Sequence, residues 1–166
     1  MKEEVVVETE KLIRWEPLES NPFERFYNVM DLRKLQWNGN FELSFLDHQK
    51  NKIYHFTYKQ DEANFYAIRH FRMLEEFCNT NIEMLIDKFR EERVAAGLPK
   101  LTYNPTFYKI QNSSFLTWYR RIDPTLPLPE NCRIEHHLYI CANYFIDVLT
   151  EQQPIITDSA YDPGNE

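Results

Sequence analysis

Apolar residues recur along this chain with two different periods. In the stretch from residue 32 to 59 the period is two. Phe41, Leu43 and Phe45 alternate with Glu42 and Ser44, and Tyr54, Phe56 and Tyr58 alternate with His55 and Thr57. Period two sends successive side chains to opposite faces of a sheet, so both segments are expected to be strands. Trp37-Asn38-Gly39-Asn40 precedes them as a hairpin signal, because Asn-Gly suits the two positive-φ positions of a type I′ turn. The polar run 47–52 turns the chain again. Residues 32–59 are therefore predicted to form a three-stranded antiparallel meander with one aromatic-rich face. Val5-Val6-Val7 and Leu12-Ile13-Arg14-Trp15 are candidates for short edge strands.

Elsewhere the spacing looks helical. Asn21-Pro22-Phe23-Glu24 has the cap, proline and acid of a helix start, and Phe23, Phe26, Tyr27 and Met30 follow on one face. Asp61 caps a second predicted helix, with Ala67, Phe71, Leu74 and Cys78 as its stripe. Ile82, Leu85, Ile86 and Phe89 mark a third, which Gly97 and Pro99 stop. Asn104-Pro105 opens a fourth, running through Phe107, Ile110, Phe115, Trp118, Tyr119 and Ile122, with Asn112-Ser113-Ser114 as an interruption. Residues 134–150 are apolar on several sides, which reads as a buried helix; the period-two set Leu138, Ile140 and Ala142 keeps a strand pair open. The fold class expected is α+β, a mostly helical single domain over residues 1–157. Its three- or four-stranded antiparallel meander would pack against four or five helices, and 158–166 would be a flexible acidic tail.

Composition narrows the function. With 166 residues, 43% hydrophobic and 27% charged, the chain fits one ordinary globular domain. Twelve Phe, 10 Tyr and 3 Trp exceed what a core of this size needs, so some rings are expected at the surface. Only three glycines occur, too few for a dinucleotide fold, a phosphate loop or a nucleophile elbow, and no cofactor is expected. The net charge of −7 disfavours nucleic acid as a partner and favours a protein with a basic surface. Cys78, Cys132 and Cys141 have no disulfide spacing, and residues 1–4 lack the apolar core of a signal peptide, so a cytoplasmic location without membrane contact is expected.

Few residues suggest chemistry. Cys132, His136, His137 and Cys141 would stand in pairs four apart on a helix, a spacing that presents thiolate and imidazole to zinc. Cys132 beside His136 is also the only local nucleophile–base pair. Asp147 lies in an apolar run and needs a partner, for which Arg120 or Arg121 is a candidate. Arg69, Arg72, Arg120 and Arg121 are interleaved with aromatics, as in surfaces that stack bases. The reading favoured by these features is a non-enzymatic protein-interaction module: a small acidic inhibitor, an immunity-type factor or an accessory subunit. Its contact residues would be Trp37, Tyr54, His55, Tyr58, Arg69, Arg72, Arg120 and Arg121. A small enzyme or zinc protein using 132–141, and a nucleic-acid accessory protein, are the alternatives.

Overall fold

The computed structural model describes residues 9–25, 27–76 and 80–165. In chain order its elements are β1 (Lys11–Arg14), β2 (Asp31–Asn38), β3 (Asn40–Asp47), β4 (Lys52–Tyr58), β5 (His70–Glu75) and α1 (Thr80–Ala95). They continue with β6 (Phe107–Gln111), α2 (Ser114–Ile122), β7 (Glu135–Ile140), β8 (Tyr144–Thr150) and β9 (Ile155–Ala160). Among the described residues nine strands form two antiparallel sheets, one of order β1-β6-β7-β8-β5 and one of order β2-β3-β4-β9. The expectation of a mostly helical domain with four or five helices is wrong: the described residues contain two α-helices and are mostly strand.

The layers explain why. One face of the five-stranded sheet packs on the other sheet, through Phe107, Tyr139, Ile146 and Val148 against Phe41, Leu43, Phe45 and Phe56. Its other face carries the helices. Leu12, Tyr108, Ile110, Leu138 and Phe145 meet Ile82 and Ile86 of α1, and Leu149 meets Phe115 of α2. Strands β7 and β8 are thus covered on both sides, so nearly all their residues are buried. A doubly covered strand loses its polar alternate positions and imitates a buried helix. The open alternative, a strand pair, is the one adopted: Leu138 pairs with Asp147, and Ile140 with Phe145.

The other lost helices fail through their caps. Asn21 Oδ1 accepts the Phe23 N–H at 3.0 Å and closes a local turn. Asp61 Oδ1 accepts from the Ala63 and Asn64 N–H groups, and the chain then reaches β5 through a series of bends. Asn and Asp satisfy turns as readily as helix ends. The Asn104-Pro105 start likewise leads into β6, and helix α2 begins only after the interruption at 112–114. The meander, α1 and the edge strand at residues 11–14 stand where the sequence places them. The first turn differs in kind: Asn38 pairs with Asn40, and Gly39 at φ +83° has the positive φ there, so it is not a two-residue type I′ turn. Residues 158–160, assigned above to a flexible tail, are the second half of β9 and pair with Lys52, Ile53 and Tyr54. Val5–Val7 and Cys78 lie outside the described residues.

Candidate functional site

Strand β7 places His136 and His137 next to each other, so pleating sends them to opposite faces. Each is buried and each organises a separate polar network.

His136 faces α2. Its Nε2 lies 2.7 Å from Asp147 Oδ1 on the neighbouring strand β8. Asp147 Oδ2 accepts from Arg72 Nε at 2.5 Å, from β5 on the far side. The other ring nitrogen, Nδ1, lies 2.7 Å from Ser113 Oγ. A carboxylate only accepts, so Nε2 carries a proton, and in the neutral ring Nδ1 accepts the Ser113 hydroxyl. Burial alone would raise the Asp147 carboxyl, but the contacts to His136 and Arg72 outweigh it and hold it below the ordinary carboxylate range. Arg72 also lies over the Phe115 ring, 4.3 Å from its centroid, which fixes the guanidinium against α2.

Ser113 is where the backbone turns from strand to helix. Asn112, directly after β6, takes the left-handed conformation at φ +53°. Ser113 then caps α2, its Oγ accepting the Leu116 N–H at 2.9 Å. Ser113 and His136 both border a cleft of about 610 Å³, whose lining also includes Ile13, Lys109, Leu116 and Arg120.

His137 faces the second sheet. Nε2 lies 2.8 Å from Glu135 Oε2, and Nδ1 lies 2.8 Å from Tyr58 Oη. Tyr58 in turn meets the Tyr139 hydroxyl at 2.6 Å. Trp15 lies against the imidazole with centroids 4.3 Å apart. Burial pushes His137 below the ordinary imidazole range, against the opposing pull of Glu135. Glu135 itself is brought down to about 2, first by the His137 N–H and then by Lys109 and Gln153, against the opposing effect of burial. Burial raises both tyrosines, which stay protonated.

These networks correct the expected metal set. His136 and His137 diverge, and both nitrogens of each ring already have protein partners. Cys132 precedes β7 and Cys141 follows it, about 25–30 Å apart along an extended chain. Burial raises the Cys141 thiol and keeps it from being a thiolate. No cluster of three or more His, Cys, Asp or Glu able to hold a metal is found among the described residues. The partner of Asp147 is Arg72, not Arg120 or Arg121; Arg120 donates instead to the Pro127 carbonyl.

The predicted contact residues divide. Tyr58 is fully buried and cannot meet a partner, and Tyr54 packs partly against the core. His55 sits on the outer face of the four-stranded sheet between Ser44 and Ser159. Arg69 and Arg72 are paired with Glu151 and Asp147, which takes two of four cations from the nucleic-acid reading. Trp37 is exposed, and its ring meets Phe71 of β5 at 5.9 Å.

Sequence reasoning missed a strip of exposed apolar residues that continues from there. Met73 lies on β5, an edge strand. Trp118 of α2 stacks on His70, and Phe65 packs edge-on against Tyr66, which carries Arg69 over its ring. Trp37, Phe65, Tyr66, Met73, Trp118 and Ile122 are 45% to 73% exposed. No helix among the described residues is long and apolar enough to cross a membrane. Compared with protein families, with curated proteins and with solved structures, the chain has no match.

Proposed function

We propose that this chain is a protein-interaction module that docks a partner along the β5 edge. One observation carries the reading: the strip of large apolar side chains around an edge strand, from Trp37 through Met73 to Trp118, Tyr66 and Phe65. An edge strand offers unpaired backbone groups, and monomers usually blunt such edges with charge or proline. Within β5, His70 beneath Trp118, Phe71, Met73 and Leu74 are aromatic or apolar, while Arg72 is paired with Asp147 and Glu75 ends the strand. Aromatic residues and Met at the centre of a patch are the composition of interface hot spots.

The partner's chemistry follows from the ends of the strip. Asp61 and Glu62 belong to the loop that carries Phe65, and Glu75 and Glu76 stand at the far end of β5. Arg69 is offset by Glu151. The partner that fits is a protein with an extended apolar segment flanked by basic residues, in keeping with the net charge of −7.

A photo-crosslinking amino acid placed at Met73, Phe65 or Trp118 tests this in the cells that make the protein. Position 100, an exposed lysine within the α1–β6 connection, is the control. The expected result is one discrete polypeptide captured at the three strip positions, absent at the control and released from the strip by Met73→Asp. Equal capture at all four positions, or none at the strip, would contradict it.

A further inference from the structure

We propose that Ser113 is a nucleophile, activated by His136 and Asp147, that attacks the carbonyl carbon of small activated esters or thioesters entering the cleft above α2. The observations behind this are independent of the docking strip. A serine hydroxyl, an imidazole and a buried carboxylate stand in hydrogen-bonded series at 2.7 Å and 2.7 Å, drawn from three elements: the β6–α2 turn, β7 and β8. The connection runs through Nδ1 toward serine and Nε2 toward the acid. Either imidazole nitrogen is competent as a base when the other holds the proton.

Three features of the surroundings suit a nucleophile. First, Ser113 lies on a strand–turn–helix corner, with the left-handed Asn112 before it and α2 after it. Left-handed backbone at a non-glycine residue costs energy, and such strain gathers at functional positions. Second, the Leu116 N–H bond to Oγ uses one lone pair, while the hydroxyl proton goes to His136. The second lone pair remains for attack, and the positive end of α2 lowers the cost of negative charge on Oγ. Third, Ser113 and His136 border a cleft of about 610 Å³, in the range of small-molecule sites. Its walls are Ile13, Ile110, Leu116 and Ile134, with the cations Lys109 and Arg120 among them.

The chemistry balances without a cofactor. Oγ forms a bond to the carbonyl carbon as its proton passes to Nδ1, and the carbonyl π pair moves onto oxygen. The imidazolium is held by Asp147 at Nε2–H. Collapse expels the alkoxide or thiolate, which leaves with the proton from Nδ1. Water then attacks the acyl carbon, its proton moves to Nδ1, and the second collapse frees the carboxylic acid as Oγ regains its proton. Arg72 is a positioning residue here: it holds Asp147 and touches no reacting atom.

The test is covalent labelling of the full chain with a fluorophosphonate, in which Oγ–P forms as P–F breaks, followed by peptide mapping. A second arm measures release of p-nitrophenolate from p-nitrophenyl acetate, a smaller probe. The expected result is one adduct on Ser113 and a burst of one equivalent per chain. Ser113→Asn, which keeps a cap acceptor for Leu116, loses both. His136→Gln slows labelling by about 10²–10⁴-fold, the usual worth of a general base. Failure of both probes to modify Ser113 in the wild-type chain overturns the proposal, and so does labelling of a folded His136→Gln protein at the wild-type rate. The wild-type map decides even where a variant does not fold.

Discussion

The two faces of β7 carry the same device in opposite orientations. On each, a histidine turns Nε2 toward a carboxylate and Nδ1 toward a hydroxyl. They differ in which end is open. Around His137 the hydroxyls of Tyr58 and Tyr139 are sealed between the sheets, while Glu135 is 40% exposed on its side chain. Around His136 the acid is sealed, with Asp147 at 0%, while Ser113, itself 5% exposed, lines a cleft. A sealed hydroxyl can only hold the sheets in register. A hydroxyl at a cleft can meet a substrate, and a sealed acid behind it is the arrangement that keeps its base oriented. The difference teaches that hydrogen-bond connectivity alone does not mark a reactive site; the position of the opening does.

The largest expected break in this comparison lies at the two acids. Asp147→Ala leaves the Arg72 charge beside a buried, unpaired His136, so chemical denaturation should show a loss of about 3–5 kcal/mol. Glu135→Ala removes an acid that water can replace, and its cost should stay near 1 kcal/mol, the scale of partly exposed pairs. Equal losses at the two positions would erase the distinction between sealed and open acids.

A smaller effect sharpens the comparison through pH. The folded His137 pKa lies below its ordinary value of 6.5. Below about pH 6.5 the unfolded chain therefore takes up a proton that the folded chain refuses. The stability this group contributes is fully present above that pH and is lost as pH falls toward the folded pKa, at no more than about 1.4 kcal/mol per pH unit. The Glu135 contribution is lost lower down, between the ordinary value of 4.5 and about 2. Urea midpoints at pH 7.0 and 5.5 should thus diverge in the wild type and converge in His137→Gln. His70, also lowered by burial, leaves a small residual slope in the variant.

Legibility in the sequence followed burial geometry. The β2–β4 meander was readable because Ser44, His55 and Thr57 fall at the alternate, outward positions of its strands. Helix α1 was readable because Gly97, at φ +73°, and Pro99 end it. Strands β7 and β8 were not, since helices cover one face and a sheet the other. The charged residue left in β8, Asp147, rightly signalled a missing partner, but Arg120 and Arg121 were the wrong ones. Arg72 lies 75 residues away and reaches it only because β5 pairs with β8. The same limit hid the serine. Asn112-Ser113-Ser114 was visible as a break, yet nothing local connects Ser113 to a histidine 23 residues on. The exposed strip was hidden for the converse reason: Met73 and Trp118 look like core residues until β5 is known to be an edge.

Two separate networks divided by one strand require that Nε2 of both His136 and His137 carry a proton toward its carboxylate. Long-range proton–nitrogen correlation of the histidine side chains at pH 7 measures this directly. Two rings with a protonated Nε2 are expected, and Asp147→Asn should disturb only the His136 pattern. Either ring lacking a proton on Nε2, or both patterns changing together, would contradict two separate networks divided by one strand.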